Sequence, residues 1–130
     1  MLYRLGGTGR QAMSLRILLA EDEFVTAFDL CDTFEEAGYE VEGPHAGICS
    51  AMLACQREKP DLAILDIELV DGLTYELAQK LLDDNVPVIL HSERAEASEL
   101  AARFPRAITV TKPCPPADML NVISRVLAPA

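Results

Sequence analysis

The sequence lacks a long hydrophobic run, a paired-cysteine motif and an internal repeat, and these absences exclude several classes of protein. Its purely apolar runs span only a handful of residues, which excludes a transmembrane helix. The four cysteines form no Cys-x-x-Cys pair and have no histidine at metal-ligand spacing, so a structural zinc site is not expected. No secretory hydrophobic segment is visible near the start, and a cytoplasmic location is therefore expected.

Basic residues are also scarce. The chain has 11 lysines and arginines against 21 aspartates and glutamates, a formal net charge of -10. Arg4, Arg10 and Arg16 lie in the first sixteen residues, so the rest of the chain has 8 basic residues against all 21 acidic ones. Such a surface repels nucleic acid backbones and anionic membranes. We expect no binding to either, and a protein partner with a basic or apolar face.

The length of 130 residues, of which half are hydrophobic and a quarter charged, is typical of one globular domain. Residues 1–13 differ from the rest because they hold three glycines and show no apolar periodicity. We interpret them as a disordered leader or an expression remnant. The folded domain is expected over residues 14–130.

From Leu15 onward, short apolar runs alternate with segments of helical periodicity. Strands are predicted at 15–20, 39–43, 61–67, 86–91 and 107–110. Helices are predicted at 23–37, 46–58, 73–84 and 95–104, and from Pro115 to Leu127. This alternation predicts a doubly wound α/β domain with a parallel sheet. On the first helix, the spacing predicts that Phe24, Ala27, Phe28, Cys31 and Phe34 share the buried face.

Polar residues stand where the predicted strands end. Glu21 and Asp22 follow the first strand, and Asp66 closes the third. Ser92 follows the fourth strand, and Lys112 follows the fifth. Because ligands of open parallel sheets bind outside the carboxyl ends of the strands, we expect these five side chains to converge on one pocket.

The chemistry of that pocket would be phosphoryl transfer. Clustered carboxylates repel one another unless a cation joins them, and an all-oxygen set suits Mg²⁺. An aspartate beside Mg²⁺, a lysine and a hydroxyl group is a suitable nucleophile for phosphorus. Taken singly, Asp22 could instead cap the first helix, Ser92 could be a turn residue and Lys112 a surface charge. The occurrence of all five residues at strand ends favours a phosphoryl-transfer site over these separate roles.

Four segments resemble the receiver domain of two-component response regulators. They are ILLAEDE (17–23), PDLAILDIELVDG (60–72), VPVILHS (86–92) and VTKP (110–113). The resemblance runs from about Leu15 to Leu127. It implies a CheY-like, flavodoxin-like fold in which five parallel strands take the order 2-1-3-4-5.

The resemblance also implies roles for the site residues. Asp66 would be the phosphoacceptor, and Glu21 and Asp22 would be the acidic pair that holds Mg²⁺, with Asp22 the more direct ligand. Asp66 and the backbone carbonyl of Glu68 would complete the metal site. The bond Lys112–Pro113 would be cis.

Lys112 would contact the phosphoryl group, and Ser92 would move to hydrogen-bond it. Three departures from the family pattern bear on this switch. Thr109 stands where an aromatic residue is common, Glu93 where a small residue usually follows the hydroxyl residue, and Cys114 where an aromatic residue often follows the proline. Glu93 would restrict access or repel the incoming phosphoryl group.

The resemblance implies a signalling switch rather than an enzyme, with at most self-catalysed phosphotransfer and dephosphorylation. Since the sequence ends three residues after the last predicted helix, we expect a single-domain regulator. Its partners would be a sensor histidine kinase or a histidine phosphotransfer protein and a downstream protein, and it could pair as a homodimer. The short stretch from Ser92 to Lys112 predicts a reduced fourth helix, similar to a subgroup of stand-alone receivers from alphaproteobacteria.

Two other functions stay open at this point. A pseudo-receiver would bind its partner without using phosphate, and Thr109 and Glu93 favour that hypothesis. A phosphatase of the haloacid dehalogenase type is suggested by the segment DIELV (66–70), although its second acid is Glu68 rather than aspartate.

Overall fold

A five-stranded parallel sheet with helices on both faces forms the core of the computed structural model, which describes residues 14–128. The strands are β1 (Arg16–Ala20), β2 (Glu40–His45), β3 (Leu62–Asp66), β4 (Val88–Ser92) and β5 (Ile108–Thr111). The helices are α1 (Phe24–Glu36), α2 (Ile48–Arg57), α3 (Tyr75–Asp83), α4 (Ala97–Arg103) and α5 (Pro116–Leu127). The leader expected at residues 1–13 lies outside the described residues.

The strand order is β2-β1-β3-β4-β5, and all four neighbouring pairs are parallel. This confirms the predicted doubly wound α/β fold and its 2-1-3-4-5 order. With seven residues, α4 is the shortest of the five helices in residues 14–128, and a 3₁₀ turn at Arg94–Glu96 precedes it. None of the helices in this part of the chain is long and apolar enough to cross a membrane.

The three central strands read as continuous apolar runs because helices cover both faces of the sheet. Side chains alternate between the two faces, so Leu18, Leu65 and Leu90 join one core while Ile64 and Ile89 join the other. Helices α2, α3 and α4 pack on the first face, and α1 and α5 pack on the second.

The predicted buried face of α1 is wrong for two of its three phenylalanines. Phe34 is fully buried, but Phe24 is 71% exposed and Phe28 is 48% exposed. The helix instead packs through Ala27, Leu30 and Phe34, and at about 100° per residue the other two rings lie roughly a quarter turn or more away from that stripe. The two exposed rings contact each other edge to face, with centroids 4.5 Å apart.

A small hairpin that the sequence pattern did not predict follows β3. Its strands are Glu68–Leu69 and Gly72–Leu73, and Gly72 adopts a φ of +134°, which favours glycine. Between them, Asp71 caps α2 from outside that helix: its two carboxylate oxygens accept the backbone N–H groups of Ile48 at 2.7 Å and of Cys49 at 3.3 Å. These backbone bonds lower the pKa of Asp71.

Candidate functional site

The carboxyl edge of the sheet brings together the residues that the sequence placed at strand ends. Glu21, Asp22 and Asp66 each offer a carboxylate oxygen, and these atoms lie within 4.8 Å of one another. The ammonium group of Lys112 reaches Asp66 from β5, with 2.8 Å between Nζ and Oδ1. The predicted convergence is therefore confirmed for these four side chains.

Asp66 is held firmly as the last residue of β3. It is buried, and its Oδ1 accepts the backbone N–H of Ile67 at 2.9 Å in addition to the bond from Lys112. The hydroxyl of Thr74, which is fully buried, donates to the carbonyl oxygens of Asp66 at 2.8 Å and Ile67 at 3.1 Å. Thr74 was not predicted, because nothing in the periodicity relates it to a strand eight residues earlier.

The carboxyl group of Glu21 has a raised pKa. It is buried at the end of β1, and burial raises its pKa to about 7. The N–H of Glu23, which donates to Glu21 Oε2 at 3.0 Å, opposes that rise, and the nearby charge of Asp66 adds to it. A bound cation would favour the ionised form of such a carboxylate.

Asp22 is exposed at the rim of the site. It does not cap α1, since the N-cap is Glu23, whose carboxylate accepts the N–H of Thr26 at 2.9 Å. The helix-capping role that was considered for Asp22 is thus filled by Glu23. An exposed carboxylate beside two buried ones leaves the cluster open to water, as an Mg²⁺ ion that keeps several water ligands requires.

Lys112 is partly buried and remains positively charged. Burial alone would lower its pKa, but the hydrogen bond and the charge of Asp66 outweigh that effect, so the pKa of Lys112 is raised. Its backbone N–H donates to the carbonyl oxygen of Ser92 at 2.7 Å, which ties the ends of β4 and β5 together. The bond Lys112–Pro113 is cis, as expected.

No family model matches the chain, but its sequence and fold are similar to those of known regulatory proteins. The regulator PhyR of Methylorubrum extorquens is 33% identical over 118 residues, which cover 88% of this chain and 44% of PhyR. The regulatory protein PdtaR of Mycobacterium tuberculosis is 33% identical over 87 residues, 64% of this chain and 42% of PdtaR. The solved receiver domain of HemR from Leptospira biflexa superposes with a TM-score of 0.79 at 26% identity, covering 90% of this chain and 97% of that domain.

The chain is homologous to the receiver domains of response regulators and shares their fold. It spans less than half of the two curated relatives described above. The receiver fold explains why residues from three different strands meet at one edge, since each parallel strand ends on the same side of the sheet.

Ser92 of this receiver domain is buried, and its hydroxyl oxygen has no hydrogen-bond partner within residues 14–128. The hydroxyl oxygen of Thr109, at the position where an aromatic residue was expected, is also buried without a partner in the same part of the chain. A buried hydroxyl group normally finds a partner, because leaving it unpaired costs free energy. Both hydroxyl groups are therefore candidates for hydrogen bonds that form in another state of the domain.

Glu68 and Glu93 line a cavity beside Asp66, together with Asp22, Asp66 and Lys112. The side chains of Glu68 and Glu93 are exposed. The position of Glu68 at this cavity agrees with the prediction that its backbone carbonyl lies near a metal, and the ligand role itself stays a prediction. Glu93 adds a negative charge near Lys112 and contributes to its raised pKa.

His91 is a buried residue of the site that sequence reasoning did not single out. Its Nδ1 lies 3.9 Å from Oε1 of Glu21, and it is only 3% exposed. Burial lowers its pKa, and the positive charge of Lys112 lowers it further. The position of His91, directly before the hydroxyl residue at the end of β4, was the only available signal.

Proposed function

We propose that this receiver domain accepts a phosphoryl group on Asp66 from a phosphohistidine of a partner protein. The observation that carries the proposal is the 2.8 Å contact between Lys112 Nζ and Asp66 Oδ1, beside the carboxylates of Glu21 and Asp22. A lysine fixed on one oxygen of a buried aspartate provides a positive charge where a phosphoryl group would arrive. The other carboxylates would repel that group unless a cation offsets them.

The donor set fits Mg²⁺. The carboxylates of Glu21, Asp22 and Asp66 are hard oxygen ligands, and the backbone carbonyl of Glu68 is the predicted fourth protein ligand. When bound, Mg²⁺ would neutralise negative charge on the phosphoryl oxygens. The chain supplies the remaining parts of the site.

In the proposed step, a carboxylate oxygen of Asp66 forms a bond to phosphorus while the bond from phosphorus to the histidine nitrogen breaks. The imidazole leaves with the electron pair of that bond. Lys112 pairs with the transferred phosphoryl oxygens, and Ser92 turns its unpaired hydroxyl toward them. Thr74 and the N–H of Ile67 hold the aspartate in position. Hydrolysis of the acyl phosphate later restores the carboxylate.

The domain would act as a switch and not as an enzyme that turns over a separate substrate. Its donor would be a sensor histidine kinase or a histidine phosphotransfer protein, and its output a contact with a further protein. A cytoplasmic location would suit the four cysteines, all of which are free thiols. One of the curated relatives, at 28% identity, is the sporulation initiation phosphotransferase F of Bacillus subtilis, whose name supports a phosphotransfer role.

The proposal is tested by incubating the full chain with Mg²⁺ and phosphoramidate or acetyl phosphate, followed by intact-protein mass spectrometry. We expect one labile phosphoryl adduct on the wild type and none on Asp66→Asn. Asp84→Asn, an exposed aspartate far along the sequence from the site, is the matched control and should label normally. Equal labelling of Asp66→Asn, or no labelling of the wild type, would contradict the proposal. Partner binding that Asp66→Asn leaves unchanged would favour the pseudo-receiver instead.

A further inference from the structure

A second cavity of about 400 Å³ lies on the α1 side of the phosphoacceptor site. It is bounded by the first turns of α1, the end of β4 and the loop that joins β5 to α5. Its lining includes the acidic residues Glu21, Glu23, Asp29 and Glu93 and the apolar residues Leu30 and Cys114. We call it the α1 cavity.

The α1 cavity is acidic. The exposed carboxylates of Glu23, Asp29 and Glu93 line it together with the buried Glu21, against one basic residue, Lys112, which is already paired with Asp66. The other walls are apolar and include the prolines of the β5–α5 loop. Apolar walls with acidic groups suit a ligand that has an aliphatic stem and a cationic head.

A buried histidine gives a second, independent indication of a ligand. His91 lines the α1 cavity and is 97% buried, and its Nε2 has no hydrogen-bond partner in the described part of the chain. His91 lies two positions after Ile89, which faces α1 and α5, so the imidazole points to the side where the cavity lies. A neutral imidazole nitrogen accepts a hydrogen bond, and an ammonium or guanidinium group would donate one.

The cavity is not suited to a metal ion. Within residues 14–128, one cluster of acidic, histidine and cysteine side chains has metal-ligand spacing, and that cluster is Glu21, Asp22 and Asp66. The surface beside the cavity instead suits a protein, because α1 also exposes the edge-to-face pair Phe24 and Phe28. Exposed aromatic rings are common anchors of protein interfaces.

We propose that the α1 cavity takes the side chain of a lysine or an arginine from a partner protein. The chain's net charge of -10 complements such a basic partner. The inference goes beyond the proposed function, because occupation of the cavity requires no phosphoryl transfer. Its failure and the failure of the proposed function are therefore separate results.

The test uses Cys114, which lines the α1 cavity, and Cys49, an exposed thiol outside it, as an internal reference. Each thiolate attacks a methanethiosulfonate reagent, forms a mixed disulfide and releases methanesulfinate. Rates at the two thiols are compared by peptide mass spectrometry for a cationic aminoethyl reagent and an anionic sulfonatoethyl reagent. We expect the preference for the cation to be about tenfold larger at Cys114 than at Cys49, and to fall with added salt.

Two neighbouring acids on α1 provide matched variants. Asp29→Asn removes a charge that lines the cavity and should reduce the cation preference at Cys114 several-fold. Asp32→Asn removes an exposed charge from the same helix, outside the cavity lining, and should leave the preference unchanged. Equal preferences at the two thiols, or no reaction of Cys114 with an uncharged methyl reagent, would overturn the proposal.

A ligand competition completes the test. N-acetyl-arginine amide at millimolar concentration should slow the reaction of Cys114 with the uncharged reagent and leave Cys49 unaffected. The citrulline analogue has nearly the same shape without the charge and should have no effect. Equal protection by both compounds, or protection by neither, would show that the cavity does not select a cation and would overturn the proposal.

Discussion

Replacing Glu21 with glutamine is predicted to stabilise the domain at alkaline pH in the absence of Mg²⁺. Burial raises the pKa of Glu21 from 4.5 to about 7. Because the folded pKa is the higher one, the stability that protonated Glu21 contributes is fully present below pH 4.5 and is lost as the pH rises through about 7. Glutamine stays neutral and loses none of it.

The size of the effect follows from the pKa difference. A change from 4.5 to about 7, at about 1.4 kcal/mol per pH unit, corresponds to about 3 kcal/mol. The cavities beside Glu21 are open to water, which screens the charge and reduces that figure. We therefore expect the difference in the free energy of unfolding between Glu21→Gln and the wild type to change by about 1–2 kcal/mol in favour of the variant as the pH rises from about 5 to 8.

The assay is urea unfolding followed by circular dichroism at several pH values in EDTA. Glu36→Gln, at the exposed end of α1, is the control and should follow the wild type at every pH. A difference between Glu21→Gln and the wild type that does not change with pH would refute the reasoning. Added Mg²⁺ at about pH 8 should stabilise the wild type more than the variant, because the variant lacks one of the three clustered carboxylates.

Three further predictions concern a hydrogen-bonded buried hydroxyl, an unpaired buried hydroxyl and a phenylalanine of the core. Thr74→Val removes the hydroxyl that donates to the carbonyl oxygens of Asp66 and Ile67, and should lower the free energy of unfolding by about 1–3 kcal/mol and slow phosphorylation. Thr74→Ser keeps the hydroxyl, and in the same assays it should retain the stability and the phosphorylation rate of the wild type. Ser92→Ala removes an unpaired buried hydroxyl, so urea unfolding should show a change of less than about 1 kcal/mol while phosphorylation slows. Phe34→Ala should cost about 3–5 kcal/mol in the same unfolding assay, and a comparable loss for exposed Phe24→Ala would contradict the observed face of α1.

The site was predictable to the extent that strand ends are visible in the sequence. Asp66 and the acidic pair each end a continuous apolar run, Lys112 follows the fifth predicted strand, and a parallel sheet brings such positions together. The fold order came from the family resemblance, because apolar runs alone do not state which strands are neighbours.

The errors and omissions have physical causes. On α1, the predicted face was drawn around the aromatic rings at 24 and 28 and left out Leu30, which is buried together with Ala27 and Phe34. The roles of Thr74 and His91 depend on contacts between segments that are distant in sequence, and the periodicity of a single helix or strand does not reveal such contacts. The hairpin after β3 is too short to produce a recognisable alternation.

The cap that Asp71 provides for α2 links two segments of the chain. Gly47 at the start of this helix has no side chain with which to cap it, so the first amide groups of the helix depend on Asp71, five residues beyond Asp66. A side chain added at position 47 would lie 3.2 Å from that carboxylate, which shows how tightly the two segments fit. The Asp71 cap therefore couples the loop after β3 to the start of α2, and we expect a displacement of that loop to change the position of the helix terminus as well.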